Sequence, residues 1–329
     1  MRLIHSLIVA AALAGSAHAQ TGKPPILRAA VPSPEALHSP LIAFSCAGAR
    51  QVAVGDRGVV LLSDDQGGSW RQARSVPAQV MLTAVTFVDA QRGWAVGHRG
   101  VVLHTQDGGE TWQLQRHEPE QDRPLFAVHF FDASQGVAVG LWSQVLTTTD
   151  GGRQWQTQHT GLSRQSGNAD LNLFSLFPDA QGRLYSTSER GQLLRSTDRG
   201  QHWELLSTGS AASLWTGLAL PTGRLIVAGL RGALLRSDDE GRSWQAQESG
   251  PRDSLHALTA DPRGQDVLAV GASGAVLRSR DGGERFMRED RPERLPLMAV
   301  GRCAPAADWQ LLGARGPQRL PAASPASPR

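Results

Sequence analysis

The chain has 329 residues, of which 40% are hydrophobic and 19% are charged, and its formal net charge is +3. This balance is typical of a compact globular protein, and the charge is too small to indicate nucleic acid as a partner. With 36 glycines and 19 prolines, the composition favours many short strands joined by turns over a helical fold.

The first residues have the layout of a secretory signal peptide. Arg2 and His5 precede an apolar stretch, residues 7–14, and the sequence Ala17-His18-Ala19 fits a cleavage site. We therefore expect residues 1–19 to be removed and the mature protein to be exported, which in a bacterium means the periplasm. No later run reaches the roughly 18 apolar residues that a membrane helix requires, so the mature chain should be at most peripheral to the membrane.

A repeat of about 42 residues occupies most of the remaining chain. Each unit has an apolar segment, a second apolar run, a glycine turn, a third strand, a polar turn and a short outer strand. We name the four strands A, B, C and D. The seven A segments begin at Leu41, Leu82, Leu125, Leu173, Leu214, Leu255 and Leu297.

The polar turn between strands C and D is the most regular part of the repeat. In the second unit it reads Thr105-x-Asp107-x-Gly109-x-Thr111-Trp112, and six units carry a version of it. We expect the carboxylate and hydroxyl to accept hydrogen bonds from backbone N–H groups, the glycine to take a positive φ, and the tryptophan to pack under the sheet. The predicted structural aspartates are Asp65, Asp107, Asp150, Asp198, Asp239 and Asp281.

Repeats of this length, with four strands each, predict an all-β, seven-bladed β-propeller over residues 26–321, followed by a disordered tail, 322–329. A parallel β-solenoid is the less favoured alternative, because the paired-glycine turns indicate antiparallel strands. The seventh unit lacks the polar turn and strand D. We expect the segment 26–34 to supply that strand and close the ring, and the extra residues 161–170 to form a protruding loop.

The polar turn resembles the Asp-box, the repeat signature of bacterial-neuraminidase-type propellers. That resemblance raises a sialidase or glycan-binding function, whose chemistry needs a tyrosine nucleophile. Tyr185 is the one tyrosine in the chain, and it falls inside a predicted strand B with Glu189 at the strand end, where a buried structural role is favoured. We retain a glycan-binding or glycoside-hydrolase propeller as the alternative.

The Asp-box repeats, the signal peptide and the glycine–arginine turns together resemble the photosystem II assembly and stability factor family, including its bacterial homologues. This resemblance implies a non-catalytic propeller that holds a membrane-protein intermediate through an arginine-rich face. Such a protein is expected to be a monomer without a cofactor. Its partner is then a photosystem subunit or a segment of a different membrane complex.

Arginine recurs in the turn between strands B and C, as in Gly97-His98-Arg99-Gly100. In a four-stranded meander, the B–C turns and the D–A loops emerge on one face, and the Asp-boxes on the other. Arginine presents a planar fork that suits bidentate capture of a carboxylate. We therefore predict that this face binds an acidic or carboxylate-ended segment of a membrane protein, although a merely solvated rim is the other interpretation. The predicted partner-binding residues are Arg57, Arg99, Arg190, Arg231 and Arg315.

The two cysteines, Cys46 and Cys303, fall near the ends of strand A in the first and seventh units. Ring closure makes them neighbours, and in an oxidising compartment they could form a disulfide bond. Two free buried thiols are the other interpretation, because the cysteines are offset by one residue relative to Pro40 and Pro296. The ten histidines show no close ligand spacing, so no metal site is expected.

Overall fold

A computed structural model describes residues 27–160, 170–250 and 252–321. The predicted signal peptide, most of the predicted protruding loop and the predicted tail lie outside these residues. The described chain forms seven antiparallel sheets, which are the seven blades of the predicted propeller. None of the helices in the described ranges is long and apolar enough to cross a membrane.

The strands of each blade are consecutive in sequence and in space, so every blade is a simple meander. In the first three blades the strands are β1 (Leu41–Ala47), β2 (Arg50–Gly55), β3 (Val60–Ser63), β4 (Arg71–Gln72), β5 (Leu82–Phe87), β6 (Gly93–Gly97), β7 (Val102–Thr105), β8 (Gln113–Arg116), β9 (Leu125–Phe130), β10 (Gly136–Gly140), β11 (Val145–Thr148) and β12 (Gln156–Gln158).

The remaining blades repeat this order, and strand A of blade 4 is reduced to two residues preceded by an isolated bridge between Leu173 and Ser188. The strands of these blades are β13 (Phe177–Pro178), β14 (Leu184–Thr187), β15 (Gln192–Ser196), β16 (Glu204–Ser207), β17 (Leu214–Ala219), β18 (Leu225–Gly229), β19 (Leu234–Ser237), β20 (Gln245–Ala246), β21 (Leu255–Ala260), β22 (Val267–Gly271), β23 (Val276–Ser279), β24 (Met287–Arg288), β25 (Leu297–Gly301), β26 (Trp309–Gly313) and β27 (Gly316–Leu320).

Helical structure in the described residues is limited to short 3₁₀ segments, most of them single turns between strands B and C. They are Pro34–His38, Asp56–Gly58, His98–Gly100, Leu141–Ser143, Leu230–Gly232 and Ala272–Gly274.

The hydrophobic core lies between blades. Seven clusters of buried side chains can be traced in the described residues, and each joins two neighbouring blades around the ring. Between blades 1 and 2, for example, Val54 and Leu62 pack with Leu82 and Leu103. In six of the seven pairs of neighbouring blades the described A strands contact one another, β25 with β1 included, so strand A is innermost and borders the central channel.

The prediction that an N-terminal strand completes blade 7 is wrong. Blade 7 has three strands in the described chain, and residues 27–33 form no strand. Instead, the N–H of Ala30 donates to the carbonyl of Val76 (2.9 Å), beside blade 1. The following 3₁₀ helix, Pro34–His38, contacts the edge strand β27.

The prolines of this segment explain the difference. Pro32 and Pro34 lack the N–H that a ladder would need, and Pro34 suits the first position of a helix, where the side chain of Ser33 caps the N–H of Glu35. The short helix therefore covers the edge of β27, which would otherwise be open to pairing with another chain.

The ring is joined instead by a disulfide bond and by contacts between blades 7 and 1. The sulfur atoms of Cys46 and Cys303 are 2.05 Å apart, and the two Cα atoms are 5.5 Å apart. The side chain of Arg319 donates to the carbonyl of Gly67 (3.0 Å), and that of Gln310 donates to the carbonyl of Gln66 (3.3 Å). The first and last blades are thus tied together at the Asp-box end of the ring.

Candidate partner-binding face

In six blades the B–C turn holds a non-glycine residue in a left-handed conformation on the same face. Arg57, Arg99, Arg190 and Arg231 have φ values between 51° and 57°. Non-glycine residues adopt this region uncommonly, at a cost of roughly 1 kcal/mol or more. Arg315 differs slightly, because it lies in a tight turn in which Gly316 carries the positive φ of 80°.

The flanking glycines are required because the turn packs tightly against the loop that joins strands D and A. A Cβ atom added to Gly97 would lie 2.1 Å from the carbonyl oxygen of Met81, and one added to Gly58 would lie 2.1 Å from that of Ala78. The backbone at both glycines therefore faces the protein, and the arginine of each turn, Arg99 or Arg57, is left towards the surface.

Polar side chains from the D–A loops anchor these turns. The carboxylate of Asp122 accepts from the backbone N–H of Arg99 (2.8 Å), and the hydroxyl of Ser254 accepts from that of Arg231 (3.1 Å). In blade 1 the carboxylate of Asp56 accepts from the N–H of Arg57 (2.9 Å). The B–C turns and the D–A loops thus share one face, which we call the arginine face.

The guanidinium groups on this face have few partners. Arg57 is 81% exposed and its nearest carboxylate, that of Asp56, is 3.7 Å away. Arg231 and Arg315 are exposed, and within the described ranges their side chains form neither a salt bridge nor a hydrogen bond. Arg99 is half-buried and interacts with Asp122 without forming a salt bridge to it. The charges of Arg57, Arg231 and Arg315 are therefore available to an external anion.

Blades 3 and 6 place other residues at the arginine position. Trp142 (φ 53°) is 53% exposed, and the guanidinium carbon of Arg123 lies 5.7 Å from its ring centroid. Ser273 (φ 53°) occupies the position in blade 6. Arginine as the search criterion overlooks Trp142. Its sequence separation from Gly140 is the same as that of Arg99 from Gly97, and this spacing would have identified it.

Two surface cavities adjoin the predicted arginines. One, of about 510 Å³, is lined by Met81, His98, Arg99 and Asp122 together with the N-terminal residues Leu27 and Arg28. The other, of about 260 Å³, borders Arg231 in blade 5. Both can admit part of a peptide next to a guanidinium group.

The opposite face carries the Asp-boxes, and their aspartates are used within the turns. The Asp107 carboxylate accepts from the N–H of Thr111 (2.9 Å) and from the hydroxyls of Thr111 (2.6 Å) and Thr105 (2.8 Å), and the indole N–H of Trp112 donates to the carbonyl of Gly109 (2.9 Å). The other five aspartates accept equivalent backbone bonds, at Asp65, Asp150, Asp198, Asp239 and Asp281.

These hydrogen bonds stabilise the ionised carboxylates. The backbone N–H and hydroxyl of Ser69, with the hydroxyl of Ser63, lower the pKa of Asp65 to about 2. The hydroxyl and N–H of Ser243 likewise lower the pKa of Asp239 to about 2. An acceptor committed to its own turn is a structural group, and we assign the Asp-box aspartates to folding and not to partner binding.

The residues that a sialidase mechanism would use are not placed for it. Tyr185 is fully buried, its hydroxyl lies 3.3 Å from the carboxylate of Asp179, and burial raises its pKa. Glu189 accepts a hydrogen bond from the amide of Asn172 (2.8 Å). A tyrosine without access to solvent cannot attack a sugar. In the described part of the chain, no group of three or more His, Cys, Asp or Glu side chains could hold a metal ion.

Comparisons with known proteins agree with this geometry. The family model of photosynthesis system II assembly factor YCF48 matches residues 68–124 and 115–267. A solved structure described as YCF48 bound to D1 peptide has a TM-score of 0.71 at 20% identity, covering 91% of this chain and 98% of that one. YCF48 from Cyanidioschyzon merolae has a TM-score of 0.69 at 18% identity, covering 87% of this chain and 96% of that one. The two structures support the propeller fold. No curated protein matches the sequence significantly.

Proposed function

Because this chain belongs to the family of photosynthesis system II assembly factor YCF48, we propose that it is a non-catalytic, exported propeller that binds a segment of a membrane protein during its assembly. The membership predicts an assembly function, and the sequence of residues 1–19 supports export. The binding surface that we assign is the arginine face.

The observation that carries the proposal is the exposed guanidinium groups of Arg57, Arg231 and Arg315, of which the last two form neither a salt bridge nor a hydrogen bond within the described ranges. A guanidinium that has no carboxylate in its own fold can form two parallel hydrogen bonds with a carboxylate of a partner. A solved YCF48 structure contains a bound D1 peptide, and this supports a membrane-protein segment as the class of partner. We infer that the segment is acidic or ends in a carboxylate.

Charge reversal on this face tests the proposal. We expect the double variant Arg99→Glu, Arg231→Glu to capture at least tenfold less partner from detergent-solubilised membranes of its own cells, at physiological salt. Its melting temperature should stay within a few degrees of the original, because exposed charges contribute under about 1 kcal/mol each to stability.

The matched control is Arg263→Glu, Arg285→Glu on the Asp-box face. These two side chains are 87% and 89% exposed, and the control makes the same change in net charge on the other face. It should bind as the original does. Undiminished binding by the first variant, or an equal loss in both, would contradict the assignment of the arginine face.

A further inference from the structure

Strand A of six blades contains the same irregularity at the end nearest the arginine face. The pairing of strand A with strand B shifts by one residue immediately after the first leucine, so that Leu82 pairs with Gly97 and Ala84 pairs with Val96. Thr83 is left out of the ladder. Such bulges re-aim a side chain and are common beside functional sites. The left-out residues of the six blades are Ile42, Thr83, Phe126, Trp215, His256 and Met298.

In blade 4 the equivalent residue is Phe174, which follows the bridging Leu173. All seven side chains are half-buried, and because strand A is innermost they surround the mouth of the central channel. Contacts pass from blade to blade: the ring centroids of Phe126 and Phe174 are 5.9 Å apart, and those of Trp215 and His256 are 5.4 Å apart. We call these seven residues the collar.

Only some of the collar side chains form a hydrogen bond with the backbone. The hydroxyl of Thr83 donates to the carbonyl of Leu125 in the next blade (2.5 Å), and the imidazole Nδ1 of His256 lies 2.8 Å from the carbonyl of Leu297. These polar side chains satisfy a main-chain group at the inner edge of the ring. Phe126 and Phe174 have no donor and cannot do so, and they leave half-buried aromatic surface around the channel mouth instead.

One side of the collar is aromatic and the other is not. Blades 3 to 6 contribute Phe126, Phe174, Trp215 and His256, whereas blades 7, 1 and 2 contribute Met298, Ile42 and Thr83. The aromatic side lies one strand inward from the turns that carry Trp142 and Arg231. An apolar surface therefore adjoins cationic groups on one face, and this combination is complementary to a chain that carries an apolar side chain close to a carboxylate.

We propose that the collar is the specificity site of the arginine face. It takes an aromatic or large branched apolar side chain that lies within a few residues of the carboxylate of an extended peptide. This inference rests on the proposed function, because it needs the arginine face to be the docking surface. The guanidinium groups capture the carboxylate, and the aromatic side of the channel mouth selects the neighbouring side chain.

The test is selection from a random heptapeptide library displayed with free carboxyl termini, with the full-length protein as bait. We expect the selected peptides to be enriched both in Asp or Glu at or near the terminus and in Phe, Trp, Leu or Ile within three residues of it. With the Arg99→Glu, Arg231→Glu variant the acidic enrichment should vanish. With Phe126→Ser or Trp215→Ser the apolar enrichment should vanish and the acidic enrichment should remain.

Titration calorimetry with the most enriched peptide measures how much affinity each substitution removes. We expect Phe126→Ser and Trp215→Ser each to weaken binding by about tenfold, since deleting an aromatic contact from an interface commonly costs over 1 kcal/mol. Trp215→Phe should restore most of the affinity, because it keeps an aromatic ring, and the acidic enrichment that remains with the serine variants excludes a general loss of folding. Met287→Ser is the control, because Met287 is an apolar residue on the outer strand β24 and is 74% exposed. It should change nothing.

The outcomes separate the two proposals. Acidic enrichment without apolar enrichment would overturn the collar and leave the proposed function standing. Apolar enrichment that survives both serine substitutions would also overturn the collar, because another surface would then be responsible. No enrichment beyond that obtained with an unrelated propeller would overturn both.

Discussion

The arginines on the two faces of the propeller differ in how far they are paired within the protein. On the Asp-box face, Arg50 pairs with Asp64 (2.5 Å) and donates to the carbonyl of Gly108 in the next blade (3.2 Å). Arg224 occupies the same position four blades later, and it pairs with Asp238 (2.6 Å) and donates to the carbonyl of Gly282 (2.7 Å).

On the arginine face the same residue type is left with few partners. The loop side chains that approach the turns accept from backbone N–H groups and not from the guanidinium groups, as Ser254 does at Arg231. Arg50 and Arg224 therefore join neighbouring blades on one face, whereas turn arginines such as Arg231 and Arg315 are available for binding on the other. Net charge conceals this difference, because it sums over both faces and does not distinguish paired from exposed arginines.

The disulfide bond lies on the Asp-box face, and its removal is expected to have the largest effect, which is on stability. We expect Cys46→Ser, Cys303→Ser to lose roughly 3–5 kcal/mol of unfolding free energy, because the bond closes a loop with a sequence separation of 257 residues and no N-terminal strand completes blade 7. Binding at low temperature should be retained. Thermal unfolding of the double variant, with the reduced original protein as control, measures this; an unchanged melting temperature in both would show that blade contacts alone close the ring.

Removing an Asp-box carboxylate should have the next largest effect, again on stability alone. Asp107→Ala leaves the N–H and hydroxyl of Thr111 without their acceptor, which should cost about 1–3 kcal/mol. Asp107→Asn keeps one acceptor oxygen and should cost less. Chemical denaturation gives the free energies, and peptide capture at low temperature gives the binding. Normal stability combined with lost binding would reverse the roles that we assign to the two faces.

The sequence was sufficient for the features that the repeat itself encodes. The spacing of the aspartates and of the first leucines predicted seven blades, and the glycine pairs located the turns in which Arg57, Arg99 and Arg231 lie. Each of these features depends on local chemistry that recurs in every unit, such as a hydroxyl accepting from the N–H four residues later. Repetition made a weak local pattern into a firm prediction.

Features without a repeat were harder to predict. The segment before Leu41 was matched to an outer strand by its apolar pattern, but its prolines remove donors and direct it into a 3₁₀ helix. The pairing of Cys46 with Cys303 stayed open because the one-residue offset was counted on ideal strands. In the structure Cys46 lies within β1, whereas β25 ends at Gly301 and Cys303 lies beyond it, so counting along an ideal strand does not give the direction of the Cys303 side chain. The collar was missed for a different reason, because the bulges that create it are not marked by a recurring residue type.

The smallest expected effect comes from giving the arginine face one more charge. Ser273 has a φ of 53°, close to the 55° of Arg231, so Ser273→Arg should add little backbone strain. The nearest carboxylate, that of Asp253, is already held by Arg288 (2.8 Å), so the new guanidinium remains largely available. We expect peptide affinity to rise about threefold at low salt, since one exposed ion pair contributes under about 1 kcal/mol, and the gain should shrink as salt screens it.

Ser273→Lys supplies the charge without the planar fork of arginine, so its gain in affinity should be smaller. A salt titration of affinity for the three proteins measures this, and equal affinities at every salt concentration would mean that blade 6 lies outside the binding surface.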